Sequence, residues 1–323
     1  MTNSQFFSNC TAETIREASA ALEAGHLVAF PTETVYGLGA DARNPEAVKR
    51  IYEVKGRPSD HPLIVHISSI NQVEKWAREI PDYANDLARA FWPGPMTLIL
   101  KRTNIVKNFI TGGQDTVGLR VPNNPIALAL IQEFEEISDS AIAAPSANRF
   151  GQVSPTSSAD VHEELGEYLA GTDIVLDGGR SVIGIESTII DCSRSGPVIL
   201  RSGFITEANI ESILGMIDVE KANPSRIKFS GSFEKHYAPK CKVILGGYSI
   251  IGAGYLALLG IETPSGMVRL GSPATIEEFA RVLYSTFREA DREGYMALVV
   301  DPPQREGLGV AILERLQKAA QGR

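Results

Sequence analysis

The stretch 11–58, TAETIREASAALEAGHLVAFPTETVYGLGADARNPEAVKRIYEVKGRP, holds a helix, a strand, a polar loop and a second helix in immediate succession. Ile15, Ala18 and Leu22 recur at helical spacing, so Thr11 to Ala24 reads as an amphipathic helix that ends at Gly25. Leu27 to Phe30 is a short apolar strand stopped by Pro31. Asn44 can cap the next helix and Pro45 suits its first position, while Gly56 and Pro58 end it after Lys55. Working outward, Asp82 to Phe91 reads as a further helix before Pro93. Leu63–Ile67, Met96–Leu100, Val117–Val121, Ala141–Ala144, Ile174–Leu176, Thr188–Asp191 and Val198–Leu200 read as strands. Helices alternating with short apolar strands predict an α/β domain on one twisted sheet.

The pattern breaks after Gly215. Residues 216–240 carry Asn223-Pro224, Ser230-Gly231-Ser232 and Pro239 without sustained period, as in a linker or lid. Strands at Lys242–Leu245, Tyr255–Leu259 and Ala297–Val300, with helices at Ile276–Arg292 and Gly309–Gln321, predict a smaller α/β domain over 241–323. The expected division is thus 1–215, 216–240 and 241–323.

Composition narrows the classes. The chain has 323 residues, 43% of them hydrophobic and 22% charged, enough for substantial globular cores. No run of eighteen apolar residues predicts a membrane span, and the polar start, Met1 to Ala18, lacks the apolar centre of a signal peptide. Cys10, Cys192 and Cys241 form no C-x-x-C pair, which fits a reducing cytoplasm better than a disulfide or zinc framework. A net charge of -8 argues against a protein that coats nucleic acid, though it leaves room for a local basic pocket.

Two segments carry candidate chemistry. In Val54-Lys55-Gly56-Arg57-Pro58 two cations flank a glycine; in an extended loop they would point the same way and grip one polyanion, or they simply complement a helix C-terminus. In Ala144-Pro145-Ser146-Ala147-Asn148 small residues end a strand and offer a hydroxyl and an amide where a ligand can approach closely, or form a structural turn. Ser154-Pro155-Thr156 extends that polar loop, and Thr34, His66, Arg120, Glu186-Ser187-Thr188 and Arg201 also fall in or beside strands, as a site for a polar anionic substrate requires. Gly37-Leu38-Gly39-Ala40-Asp41-Ala42 matches a dinucleotide pattern, but the next helix begins only at Asn44-Pro45, so no helix N-terminus faces a pyrophosphate. His61 and His66 lack a third metal ligand at recognisable spacing, and there is no Walker A motif.

The strings PTETVYGLGADA, VKGRPSDHPLIVHI, FWPGPMTLIL, VGLRVP, AAPSANRFGQVSPTS, GIESTIID, LRSG and HYAP, in this order between Pro31 and Pro239, closely resemble the two-domain threonylcarbamoyl-AMP synthases. That family's K-x-R and S-x-N signature corresponds to Lys55, Arg57, Ser146 and Asn148. The resemblance implies a YrdC-like catalytic domain on a twisted open sheet, followed by a Rossmann-like α/β domain. It implies condensation of L-threonine, bicarbonate and ATP to threonylcarbamoyl-AMP and pyrophosphate, for modification of a tRNA adenosine beside the anticodon. By the same resemblance, Thr34, His66, Arg120, Ala144 and Ser187 would hold threonine. Lys55, Arg57, His61, Thr116, Ser146, Asn148, Ser154, Arg201 and Tyr237 would hold ATP, with Mg2+ accompanying it. The product would pass to a tRNA threonylcarbamoyl-transferring complex, with a possible tRNA contact. Where relatives carry S-P-G-M in the linker, this chain has Phe229-Ser230-Gly231-Ser232. YrdC-like domains also occur in carbamoyltransferases, and a non-catalytic RNA-binding protein is the rival from another class.

Overall fold

The computed structural model describes residues 10–215, 220–221, 227–229, 231, 236–246 and 249–322. The polar start up to residue 9, most of the expected linker, and Ser230 and Ser232 of the divergent segment therefore lie outside the described residues. The strands are β1 (Val28–Phe30), β2 (Gly37–Asp41), β3 (Ile64–His66), β4 (Ala77–Arg78), β5 (Met96–Arg102), β6 (Thr116–Arg120), β7 (Ile142–Ala144), β8 (Ile174–Val175), β9 (Thr188–Asp191), β10 (Val198–Arg201), β11 (Glu220–Lys221), β12 (Lys242–Leu245), β13 (Gly254–Leu256), β14 (Val268–Gly271) and β15 (Ala297–Val300).

The first eleven form one mixed sheet in the order β11-β10-β9-β5-β6-β3-β7-β2-β1-β8, with β4 beside β5. Its centre is an antiparallel run in which β7 lies between β3 and β2. The parallel pair β3–β6 aligns His66 with Arg120, which brings two predicted site residues side by side. One apolar core gathers helix Pro45–Lys55 and helix Asp82–Phe91 against the sheet. A second gathers helix Ala12–Glu23 and helix Pro125–Ser138.

Helix Pro45–Lys55 begins as its sequence dictates: the Asn44 side chain accepts from the amides of Glu46 and Ala47, and Pro45 occupies a position whose missing N–H costs nothing. Gly56 closes it with φ +60°, the left-handed conformation in which a side chain is strained. The expected extended loop is therefore absent at this point. Lys55 is the last helical residue, and Lys55 and Arg57 leave the chain in different directions, as the site geometry shows.

The glycine-rich stretch 37–42 is a strand rather than a phosphate loop. A Cβ on Gly39 would stand 2.6 Å from Ile142 Cγ2 and 2.9 Å from Phe30 Cε1, so glycine there serves close packing between β1 and β7.

The C-terminal sheet, β12-β15-β13-β14, is parallel throughout and carries helix Ile276–Arg292 and helix Leu308–Ala320. The strand expected over Tyr255–Leu259 is the shorter β13, and the edge strand β14 escaped the sequence reading. Core residues of this domain pack directly on Val35, Val153, Ile183 and Ile185 of the first, with Tyr237 between them.

Candidate active site

The cavity lies where the polar residues after β1, the loop after β7, the ends of β3 and β6, and the turn before β9 converge. Thr34, Arg57, His66, Arg120, Ala144, Ser146, Ser187, Arg201 and Tyr237 line it, together with Thr32, Tyr36, Glu186, Gly231 and His236. Nine of the fourteen residues expected from the sequence thus share one space. Lys55, His61, Thr116, Asn148 and Ser154 do not face it.

Each absence has a structural reason. Lys55 is buried beneath the 146–148 loop, where its ammonium donates to the Ser146 carbonyl at 2.6 Å and to the Asn148 carbonyl. Asn148 turns inward: its amide donates to the carbonyls of Arg149 at 2.7 Å and Gln152 at 2.9 Å, while Ser146 Oγ donates to Asn148 Oδ1 at 2.5 Å. Ser154 Oγ donates to Glu186 Oε1 at 2.6 Å. His61 packs edge-on against Phe150. Thr116 belongs to an adjoining depression on the sheet face that it shares with Ile64, Thr97, Lys228 and Phe229; Ile64 borders both spaces.

At one end Arg120 Nη2 donates to Glu33 Oε1 at 2.7 Å and to Thr34 Oγ1 at 2.9 Å, and Glu33 Oε2 accepts from the Asn123 amide. Arg120 Nε is buried without a hydrogen-bond partner, so the guanidinium keeps donor capacity beyond its Glu33 contact. His66, next to it, is pushed down to about 3 by burial and then by the Arg120 charge, and is a neutral imidazole at neutral pH. At the other end Arg201 donates from Nε to the Ser187 carbonyl at 2.9 Å and from Nη2 to Ser187 Oγ at 3.0 Å. Ser187 Oγ in turn lies 2.8 Å from Thr97 Oγ1. Arg57 donates to the Pro62 carbonyl, and burial first of all lowers it to about 10. Three guanidiniums, each less than a tenth exposed, thus surround a hydroxyl-rich space. Such a space favours anions.

Tyr237 closes the cavity from the linker side. Its φ is +63°, a strained value for a tyrosine, and it is held by the Tyr284 ring stacked at 5.7 Å and His236 at 4.1 Å. His236 is lowered to about 3, chiefly by burial.

The sequence reading gave no role to Glu186 and His236, which line the cavity, or to Glu33, which pairs with Arg120 of its wall. All three sit inside the strings that carried the resemblance, but nothing in their local spacing marks the two carboxylates as members of buried ion pairs.

Two family models divide the chain between them. The Sua5/YciO/YrdC model, described as "Telomere recombination", matches residues 20–203, and a model described as "Threonylcarbamoyl-AMP synthase, C-terminal domain" matches 205–321. The chain belongs to the threonylcarbamoyl-AMP synthase family. This Sua5-type chain is 42% identical to a threonylcarbamoyl-AMP synthase of Pyrococcus abyssi, over 95% of its own length and 94% of the relative's. It is 40% identical to the Bacillus subtilis protein of the same name, over 96% and 93%. The crystal structure of P. abyssi Sua5 complexed with L-threonine superposes with a TM-score of 0.87 at 40% identity, covering 98% of this chain and 96% of that one. Among the described residues no helix is long and apolar enough to cross a membrane.

Proposed function

We infer that this chain is an L-threonylcarbamoyladenylate synthase, a nucleotidyltransferase that condenses L-threonine, bicarbonate and ATP to threonylcarbamoyl-AMP and pyrophosphate. The observation that carries the reading is the pairing of two anion-attracting ends in one cavity, Arg120 with Thr34 and His66 at one and Arg57 with Arg201 and Tyr237 at the other. The near full-length kinship to synthases supports it.

In this reading Arg120 binds the threonine carboxylate, and Thr34, His66, Ser187 and the Ala144 backbone surround the rest of the amino acid. The threonine amine takes up bicarbonate with loss of water to give a carbamate. A carbamate oxygen then attacks the α-phosphorus of ATP; the new P–O bond forms as the α–β bridge breaks and pyrophosphate leaves. The residues do no covalent work, so orientation and charge stabilisation account for the rate. Arg57 and Arg201 face the phosphate charge. Ser146, Asn148, Ser154, His61 and Thr116 shape the nucleotide side, directly or by holding the loops that do. Lys55 fixes the 146–148 loop from behind. The buried Tyr237 and His236 favour exclusion of water, which would otherwise release CO2 from the carbamate.

Mg2+ fits this site only as a companion of the ATP phosphates. Among the described residues no three His, Cys, Asp or Glu side chains are grouped to hold a resident metal ion. We further propose the division 1–215, 216–240 and 241–323, with the linker as lid, a cytoplasmic location, and transfer of the product to a tRNA-modifying complex.

Pyrophosphate release is measured with ATP, threonine and bicarbonate, omitting each in turn. Strict dependence on all three is expected. Release without threonine or bicarbonate, or activity with carbamoyl phosphate in their place, overturns the assignment.

A further inference from the structure

Glu186 is a carboxylate in the wall of a cavity built for anions, and two of its hydrogen-bond partners come from the C-terminal domain. Its Oε1 accepts from Ser154 Oγ at 2.6 Å and Tyr284 Oη at 3.2 Å; its Oε2 accepts from Tyr284 Oη at 3.0 Å and Arg315 Nε at 3.2 Å. Tyr284 and Arg315 stand on helix Ile276–Arg292 and helix Leu308–Ala320, 98 and 129 residues away along the chain. The Arg315 side chain is 1% exposed and that of Glu186 8%. Arg315 is itself anchored, donating to the carbonyls of Ser202 and Ala311; its Nη1 also lies 3.5 Å from the carboxylate of the more exposed Glu314, and its guanidinium 5.8 Å from the Tyr237 ring centre.

A carboxylate here, left alone, would oppose any anionic ligand. Burial raises its carboxyl, yet the Arg315 charge, followed by Arg201 and the Ser154 hydroxyl, brings it below the ordinary value, so it is ionised and balanced. The ionisable groups facing it are Arg315, Arg201, Lys318, Tyr284, Tyr237 and His236. Of these, Arg315 alone is a charge-paired hydrogen-bond donor to it from the C-terminal domain.

We propose that Arg315 is a positioning residue of the active site: it neutralises Glu186 and so sets the charge of the wall beside the ATP phosphates and the threonine carbamate. The C-terminal domain is then part of the catalytic charge balance and more than a prop for the linker. This rests on the synthase reading, so ATP binding is measured directly beside turnover. Lack of turnover by the wild type overturns the synthase reading, while the binding comparison among variants still judges this one.

The experiment compares wild type, R315M, E186Q and R315M/E186Q for ATP affinity and KM from about pH 6 to about pH 9, with thermal melting as the folding control. R315M is expected to weaken ATP by on the order of tenfold or more at the alkaline end, because an uncompensated buried carboxylate faces the phosphates. The loss should shrink toward acid, as the Glu186 carboxyl, no longer held down, takes up a proton. R315M/E186Q should lie within about threefold of E186Q at every pH, the charge conflict having been removed. R315M binding like wild type, or a loss that neither acid nor E186Q relieves, overturns the proposal. If R315M alone does not fold, the double variant decides against E186Q: equal ATP affinity supports the proposal and a folded double variant that binds poorly refutes it.

Discussion

Replacing Lys55 by methionine separates two roles that the sequence had merged. The side chain is 2% exposed, and its ammonium holds the carbonyls of Ser146 and Asn148 from beneath the loop. Each hydrogen bond from a charged donor contributes roughly 1.5–3 kcal/mol, so the two together amount to about 3–6 kcal/mol gross. Against this, removing a buried ammonium relieves a desolvation cost of several kcal/mol. A net destabilisation on the order of 1–3 kcal/mol follows, since methionine fills the space but leaves two buried carbonyls without donors. In a body of this size that lowers the melting temperature by roughly 3–10 °C. Turnover should fall by on the order of a hundredfold or more, because Ser146 and the 146–148 backbone lose their fixed place in the cavity wall. Calorimetry, pyrophosphate release and hydrogen exchange of the loop amides read out the three quantities. Faster exchange confined to residues around 146–152, with the moderate melting shift, is the expected result. A protein of unchanged or higher stability with unchanged loop exchange but no activity would refute the argument and leave Lys55 as a phosphate ligand alone.

Three further outcomes follow from the same geometry. Arg120→Lys should raise the KM for threonine by about 10–100-fold with a much smaller effect on ATP, because Nη2 alone holds Glu33 and Thr34 and leaves the rest of the planar guanidinium for the carboxylate, which a single ammonium cannot match; equal effects on both substrates in initial-rate kinetics would dissociate Arg120 from the amino acid. His66 has a folded-state value of about 3 against 6.5 ordinarily, so between these values the unfolded chain binds a proton the native one does not. Its contribution is therefore complete above about pH 6.5 and lost as pH falls toward 3, at most about 5 kcal/mol, and His66→Gln should move the acid unfolding midpoint lower; an unmoved midpoint contradicts the assignment. Gly39→Ala should cost about 1–3 kcal/mol in chemical denaturation, since the new methyl meets Ile142 and Phe30 at 2.6 and 2.9 Å, and a neutral result would show that β2 yields easily.

How far the sequence carried is clearest at its punctuation. Asn44-Pro45 and Gly56 bound a helix whose cap and left-handed close are both present, because these signals act within a few residues. Asn124-Pro125 is the same signal for helix Pro125–Ser138, and it went unread. The strand Gly37–Asp41 was hidden because its glycines answer to neighbours on β1 and β7, more than a hundred residues away in the case of Ile142. The edge strand Val268–Gly271 carries Arg269 and no apolar run, so nothing local marked it. Among candidate site residues, most of those lining the cavity lie at or near strand ends, where topology gathers them; Arg57 instead follows the end of helix Pro45–Lys55, and Tyr237 comes from the linker. The inward turn of Lys55 and Asn148 and the reach of Arg315 to Glu186 depend on how loops and domains meet, which spacing along the chain does not encode.

The site also shows why an acidic protein can hold anions. The chain carries a net charge of -8, yet Lys55, Arg57, Arg120 and Arg201 are all buried around or directly behind one cavity. Two carboxylates accompany them, each tied to an arginine: Glu33 to Arg120 and Glu186 to Arg315. Burial is the first cause lowering both Lys55 and Arg57, and mutual repulsion adds to it: Arg57 acts on Lys55, and Arg201 on Arg57. Cations held out of water and near one another are costly, and that cost is relieved when an anion of matching shape enters. The folding energy of the sheet and its two cores maintains this arrangement before any ligand arrives. An incoming polyphosphate then finds its counter-charges already oriented and has little solvent to reorganise, which is the condition under which fixed charge stabilises a transition state most strongly.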